Sequence, residues 1–345
     1  MITRRAIIAS GVASGGMVLG SLAACGRGGD AVGAGPTAPI RFSILSTEAA
    51  ETMERYWTPI LADMQTAMGV TVKPFFSSNY ALLIEAMQAK KTDLGWFSNH
   101  SGLEAVRKAG GEVFARTFDP SGVDDYTSVL IVNARSRLTL ADVLRCDRKL
   151  TFGMGDALST SGTLAPMTYL FAPRDIRPEA CFKTLRRGAS HQANLFAVAA
   201  GQLDVATNSS GSLTLNHQRG RPQSDQVRVI WRSPMLPQDP IIWRKDLDPA
   251  TKEKLRQFLL TYGQGSSARA VRQRSYMARL NIGGFRPADD SFLLPVREME
   301  ATELWLAAKE GGDERKIADA RRSLDVITAQ RVALEARTRT PAADQ

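Results

Sequence analysis

VTVKPFF at 70–76, ALLIEAMQA at 81–89, LGWF at 94–97, GLEAVRKA at 102–109 and EVFARTF at 112–118 follow one another with only short breaks. The first, third and fifth runs have the apolar spacing of strands, and the second and fourth the spacing of helices. Such strictly alternating order packs helices over a sheet, so parallel α/β packing is the expectation for this part of the chain.

Working outward, residues 41–45 (RFSIL) read as a strand with Phe42 and Ile44 alternating with polar neighbours. Met53, Trp57, Ile60, Leu61, Met64 and Met68 then recur at steps of three and four, which marks one buried helix face. Gly69 stands where such a helix stops, and Pro59 is expected to kink it. On the other side, residues 126–132 read as a strand, 138–145 as a helix, 149–153 as a strand, 160–171 and 192–201 as helices, and 204–207, 227–231 and 241–243 as strands. Asp248-Pro249 has the residue types of an N-cap and first helical position, with Gly263 as the stop.

A chain of 345 residues exceeds the usual single-domain size. Two lobes are therefore expected: 40–132 with 227–290 as the first, and 133–226 as the second. Two chain crossings between them would leave a cleft, a preferred ligand site. Residues 291–345 form a charged helical tail. Ile317, Leu324, Ile327 and Leu334 stand near heptad spacing, and Arg331 interrupts the seam. That tail either packs on the protein itself or forms a homodimer contact.

The N-terminus reads as an export signal. Arg4-Arg5 precede a run of small and apolar residues from Ala6 to Ala24, and Leu22-Ala23-Ala24-Cys25 closes it. The first part resembles a twin-arginine leader and the second a bacterial lipobox, so cleavage before Cys25 and lipid attachment there are expected. Residues 26–39 are rich in Gly, Ala and Pro and read as a flexible tether. A periplasmic, membrane-anchored lipoprotein is the implied product.

Net charge is +9, and loss of Arg4 and Arg5 with the leader lowers it to about +7. The basic residues are dispersed, which argues against nucleic-acid binding. His100, His191 and His217 are scattered, and no zinc-ligand spacing or cofactor motif is present. Cys146 and Cys181 could pair in an oxidising compartment, but sequence alone leaves that open.

Residues 150–156 (LTFGMGD) lead into Ser159-Thr160-Ser161-Gly162 and then an apolar helix. Hydroxyls and the first helical N–H groups meet there, a combination that attracts anions. Capping by Ser159 or Thr160 is the simpler reading, and the two are compatible. No Walker loop is present.

From the tether onward the chain resembles the phosphonate-binding proteins of bacterial ABC phosphonate importers. The resemblance lies in Phe75 to Tyr80, Asp93 to Phe97, Gly111 to Ala115, Leu150 to Gly155, Ser159 to Gly162 and Pro240 to Lys245. It implies a two-lobed type II periplasmic-binding fold that encloses a ligand, delivers it to a membrane permease and uses no cofactor. It also implies that Tyr80, Tyr126, Ser159, Thr160, Ser161 and His191 hold the phosphonate oxygens and that Asp239 is a matched carboxylate. Where relatives commonly carry Asn-Asn-Thr-Glu, this chain has Asn208-Ser209-Ser210-Gly211. The glutamate that can meet a substrate ammonium is thus absent, and simple alkylphosphonates are expected to bind within about tenfold of 2-aminoethylphosphonate, or better.

Two other functions use the same materials. A ligand sensor for a membrane receptor would share the fold and anchor. A periplasmic hydrolase would use Ser159 or Ser161 with His191 as base, although no nucleophile-elbow pattern accompanies them.

Overall fold

The computed structural model describes residues 38–339. The leader, Cys25 and nearly all of the tether lie outside the described residues. Two mixed sheets organise the rest. The first has the order β13-β4-β12-β3-β1-β2, with β1 Ile40–Leu45, β2 Val72–Ser77, β3 Leu94–Trp96, β4 Gly111–Phe118, β12 Pro240–Arg244 and β13 Gly284–Pro287. The second has the order β10-β6-β9-β7-β8, with β6 Ser128–Asn133, β7 Thr151–Gly153, β8 Thr184–Arg186, β9 Val205–Ser209 and β10 Val227–Arg232. Between them lies a two-stranded antiparallel ribbon of β5 Asp125–Tyr126 and β11 Leu236–Pro237, in which Tyr126 faces Leu236. Both chain crossings pass through this ribbon.

Strand membership corrects the expected boundaries. Residues 128–132 and 227–232 belong to the second sheet, because β6 pairs antiparallel with both β9 and β10. The crossings therefore fall at the ribbon, some residues away from the positions read from alternation alone. Parallel packing also holds only in part: β1 pairs parallel with β2 and β3, whereas β12 runs antiparallel to β3 and β4.

The first core forms where α1, Ala50–Met68, lays the expected six apolar side chains on its sheet. Trp57 sits edge-on to Phe42, with ring centroids 5.5 Å apart, and 5.7 Å from Trp96. Gly69 ends the helix in the left-handed conformation, with φ of 70°, and Pro59 is accommodated within one continuous helix. The helices α2 Tyr80–Gln88 and α3 Asn99–Lys108 complete the alternation. In the second lobe Phe152 stacks on Phe182 and Phe171 stands edge-on to both, in a core that includes the buried Leu130 and Val132. Beside them α4, Leu140–Leu144, and the short α5, Pro178–Cys181, are close to the Cys146–Cys181 disulfide, which closes a separation of 35 residues.

The chain continues through α6 His191–Ala199, α7 Ser210–Gln218, α8 Pro249–Thr261 and α9 Ala268–Ala278 to a terminal hairpin, α10 Leu294–Gly311 and α11 Glu314–Arg339. Leu294, Val296, Met299 and Ala301 of α10 are buried. The tail thus packs on the protein itself. Arg331, which breaks the heptad seam, pairs with Glu298 of α10, and Thr328 donates to the same carboxylate at 2.7 Å. The helix α10 also spans the lobes: Glu300 meets His100 and Arg107 of α3, while Thr168 of the second lobe donates to Glu303.

Replacing both Cys146 and Cys181 with serine is expected to lower unfolding stability by about 2–4 kcal/mol, because the link restricts the unfolded chain. Urea unfolding of the purified proteins checks this; an unchanged midpoint would contradict it.

Candidate functional site

Helix N-termini build the site. Five helices begin around one cavity, and each is capped by a serine or asparagine whose side chain accepts a first-turn N–H. Asn79 caps α2, Ser98 caps α3, Ser159 caps the helix over 160–171, Ser190 caps α6 and Ser209 caps α7. Capping leaves the first N–H groups of each helix pointing outward, and each macrodipole adds about half a positive charge at that end. Anions are favoured where several such ends converge.

The helix over 160–171 is unusual. It contains wide turns in which Ala165 N–H donates to Thr160 O and Ala172 N–H to Met167 O, the five-residue spacing of a π-helix. Wide turns of this kind are rare and concentrate at functional sites. Its start is fixed backbone to backbone. Gly155 N–H donates to Gly162 O at 3.1 Å, and a Cβ on Gly155 would lie 2.8 Å from Gly162 Cα. Thr207 donates to Gly162 O at 2.8 Å and Ser128 to Ser161 O at 2.6 Å, so the second sheet holds the helix start in place.

The cavity is about 90 Å³. Six of the seven residues expected to bind ligand line it: Tyr80, Tyr126, Ser159, Ser161, His191 and Asp239. They come from both lobes and from the ribbon, which carries Tyr126 and runs directly into Asp239. Thr160 is fully buried just beside them, and its hydroxyl accepts the His100 N–H from across the cleft at 2.9 Å. Thr160 therefore joins the lobes. Further links are Ser98 Oγ donating to Leu158 O at 2.9 Å and Gln192 N–H to Thr47 O at 3.3 Å. The lobes are closed on one another.

Sequence reading missed Trp96, Ser98, Ser212, Gln238 and Asn281, which also line the cavity. Ser98 was legible as a capping serine ahead of an apolar helix. Asn281 had no such signal: it holds a left-handed φ of 57° in the turn after α9, and its amide nitrogen is 3.6 Å from where a Gly211 Cβ would stand. Gly211 lies in the first turn of α7, so Asn281 fills the space opposite it.

Burial sets the protonation states. It pushes the Tyr80 and Tyr126 phenols well above their ordinary range, and the nearby Asp239 charge pushes in the same direction. Both stay protonated and able to donate. His191 is pushed down to about 4 by burial, so its ring is neutral at neutral pH. Titration near the ordinary histidine value is thereby removed. Asp239 is pushed up to about 7 by burial. Ser161 Oγ and His191 Nε2 are 3.1 Å apart, while His191 Nδ1 is buried without a hydrogen-bond partner. Among the described residues no cluster of three or more acidic, histidine or cysteine side chains could hold a metal, and no helix is long and apolar enough to cross a membrane.

Residues 42–293 match the protein family described as the phosphonate periplasmic substrate-binding protein of ABC transporters. The phosphonates-binding periplasmic protein of Escherichia coli K12 is 40% identical over 261 residues, covering 75% of each chain. Among solved structures, a binding protein component of an ABC phosphonate transporter from Pseudomonas aeruginosa superposes with a TM-score of 0.78 at 36% identity, covering 87% of this chain and 97% of the other. A Prochlorococcus marinus protein solved in complex with methylphosphonate shares the fold, with a TM-score of 0.66 at 19% identity over 76% of this chain and 96% of its own.

His191 makes a pH prediction. Its folded value lies below that of an unfolded histidine, so the stability it preserves is complete above about pH 6.5 and is lost as pH falls toward 4. Between pH 7 and pH 5 the native protein should lose roughly 2 kcal/mol more than His191→Gln. Urea unfolding at both pH values reads the difference, and parallel losses would contradict it.

Proposed function

The chain belongs to the family of periplasmic phosphonate-binding proteins of ABC transporters, and from that premise we propose that Tyr80, Tyr126, Ser159, Thr160, Ser161, His191 and Asp239 form its ligand site. The protein is the substrate-binding component of an importer for phosphonates or related phosphorus oxyanions. The observation that carries the site assignment is the cavity where five capped helices begin: among the described residues its lining includes phenols, hydroxyls and an imidazole, but no lysine or arginine. An oxyanion placed there is held by hydrogen-bond donors and helix ends, each charge-assisted bond contributing about 1.5–3 kcal/mol. Tyr80 and Tyr126 donate because burial keeps them protonated. Thr160 acts at the seam, where its bond to His100 N–H is available only when the lobes meet.

Transport then follows from geometry. Tyr80 belongs to one lobe, Ser159, Ser161 and His191 to the other, and the ribbon between them acts as a hinge, so ligand drives closure and closure presents the filled protein to a membrane permease. A lipid on Cys25 keeps the protein beside that permease, and Arg4-Arg5 direct export by the twin-arginine route. The charged outer face of α11 offers a homodimer contact.

The Ser161 and His191 pair favours one second reading, a hydrolase. A base needs a protonation range near working pH, and a histidine held near 4 with no partner on Nδ1 is poorly suited to take a serine proton. Binding without turnover is the stronger reading. A receptor-linked sensor would use the same site, and phosphonate uptake by a strain lacking the protein separates it from import.

Calorimetry with methylphosphonate tests the site. Thr160→Ala and His191→Ala are each expected to weaken binding about ten- to a hundredfold with folding retained. Unchanged affinity in both would contradict the assignment.

Ligand is also expected to contract the protein in solution scattering. Identical profiles with and without saturating methylphosphonate would contradict hinge closure.

A further inference from the structure

Arg219 ends α7 in the second lobe and reaches into the first. Its guanidinium pairs with Glu48, in the turn between β1 and α1, and also donates to the Arg279 carbonyl at the end of α9. Its face lies over the Tyr56 ring of α1, 4.2 Å from the centroid. Three first-lobe groups therefore hold one second-lobe side chain. The contact is nearly dry: the Glu48 side chain is 1% exposed and that of Arg219 10%. Glu48 Oε1 and Arg219 Nε are buried and have no hydrogen-bond partner among the described residues.

The segments that carry this contact also carry the cavity wall. Thr47 precedes Glu48, Leu280 and Asn281 follow Arg279, and Leu215 and Ser212 stand one and two turns before Arg219 on α7. Gln192 of the second lobe fixes the same first-lobe turn, since its side chain accepts the Ala49 N–H at 3.2 Å. Arg219 and Glu48 themselves do not line the cavity, so they act on a ligand only through the way the lobes meet.

Opening the cleft returns both charges to water, where an exposed pair contributes little. Closing it strips water from both, and their mutual attraction offsets that cost only while both are present. Loss of one partner leaves a lone buried charge. That penalty falls on the closed form and not on the open one.

We propose that Arg219 and Glu48 are a closure latch, a positioning pair that meets only when the lobes shut and sets how long a bound phosphonate is retained. This rests on the phosphonate reading and extends it from the ligand donors to the far end of α7. Ligand enters the open form, where the pair is apart, so the latch governs release and leaves entry alone. It touches no ligand atom, so it holds every phosphonate that permits closure by the same factor, whatever the substituent.

Stopped-flow tryptophan fluorescence of the mature protein, with Trp96 in the cavity wall as reporter, tests this with methylphosphonate and with 2-aminoethylphosphonate. Arg219→Met and Glu48→Leu should each release ligand roughly thirtyfold faster, with association changed less than about threefold. The double variant replaces the ion pair with two apolar side chains and should come back to within about tenfold of native release. Both ligands should shift by the same factor, and urea midpoints of the ligand-free variants should match the native one. If a variant does not fold, Arg219→Lys and Glu48→Gln complete the same cycle with smaller shifts in the same direction. Native release rates in the single variants, losses that multiply in the double variant, or ligand-free midpoints that fall in step with affinity each overturn this inference alone. Failure of native protein to bind either phosphonate overturns the ligand reading and this inference with it.

Discussion

Five helix ends aimed at one small space impose a constraint that the rest of the molecule satisfies. Partial positive charge gathers there without any lysine or arginine among the described residues of the lining, so an oxyanion placed there would be stabilised by fixed dipoles that need no reorganisation. Such ends must come from both lobes to surround a ligand, which explains why each sheet feeds helices toward the same cleft. Serine and asparagine caps serve two purposes: they satisfy part of each first turn and keep a lysine-free, hydroxyl-rich wall. The Gly155 and Gly162 contact extends the same logic, since any side chain at that point would push the helix start off the second sheet.

Closure is supported from outside the cleft as well. The Thr160 bond to His100 N–H ties the 160–171 helix to α3, and His100 is held in turn by Glu300 of α10. One turn further along that helix Glu303 accepts from Thr168 of the second lobe. The terminal hairpin therefore touches both lobes close to the proposed ligand residues. The packing of Leu164 and Ala165 with the first-lobe core shows how extensive the contact between the lobes is when closed.

Much of this was legible in the sequence, for local reasons. Alternating strand and helix runs, the α1 stripe ending at Gly69 and the hydroxyl cluster at 159–161 are patterns of neighbouring residues. The sheet membership of β6 and β10 was not, because their pairing joins residues about a hundred positions apart and leaves no local periodicity. The helix α7 was missed because its sequence, SGSLTLNHQ, is polar and lacks a clear apolar stripe. Thr160 reads with its neighbours as one hydroxyl cluster, but residue type cannot tell which side of a helix start lines the cavity and which faces the other lobe. Asn281 had no signal at all, since a lone asparagine in a turn gains meaning only once the chain brings it opposite Gly211.

The central claim is that hydroxyls, phenols, a neutral imidazole and helix-end N–H groups, unaided by a cationic side chain, hold the phosphonate. A crystal structure of the mature protein with methylphosphonate tests it most directly. The account predicts phosphonate oxygens within about 2.7–3.2 Å of donors from Tyr80, Tyr126, Ser159, Ser161 and His191, with N–H groups at the start of the 160–171 helix completing the shell. Phosphonate bound elsewhere, or clamped chiefly by an arginine or lysine drawn into the cleft, would contradict it.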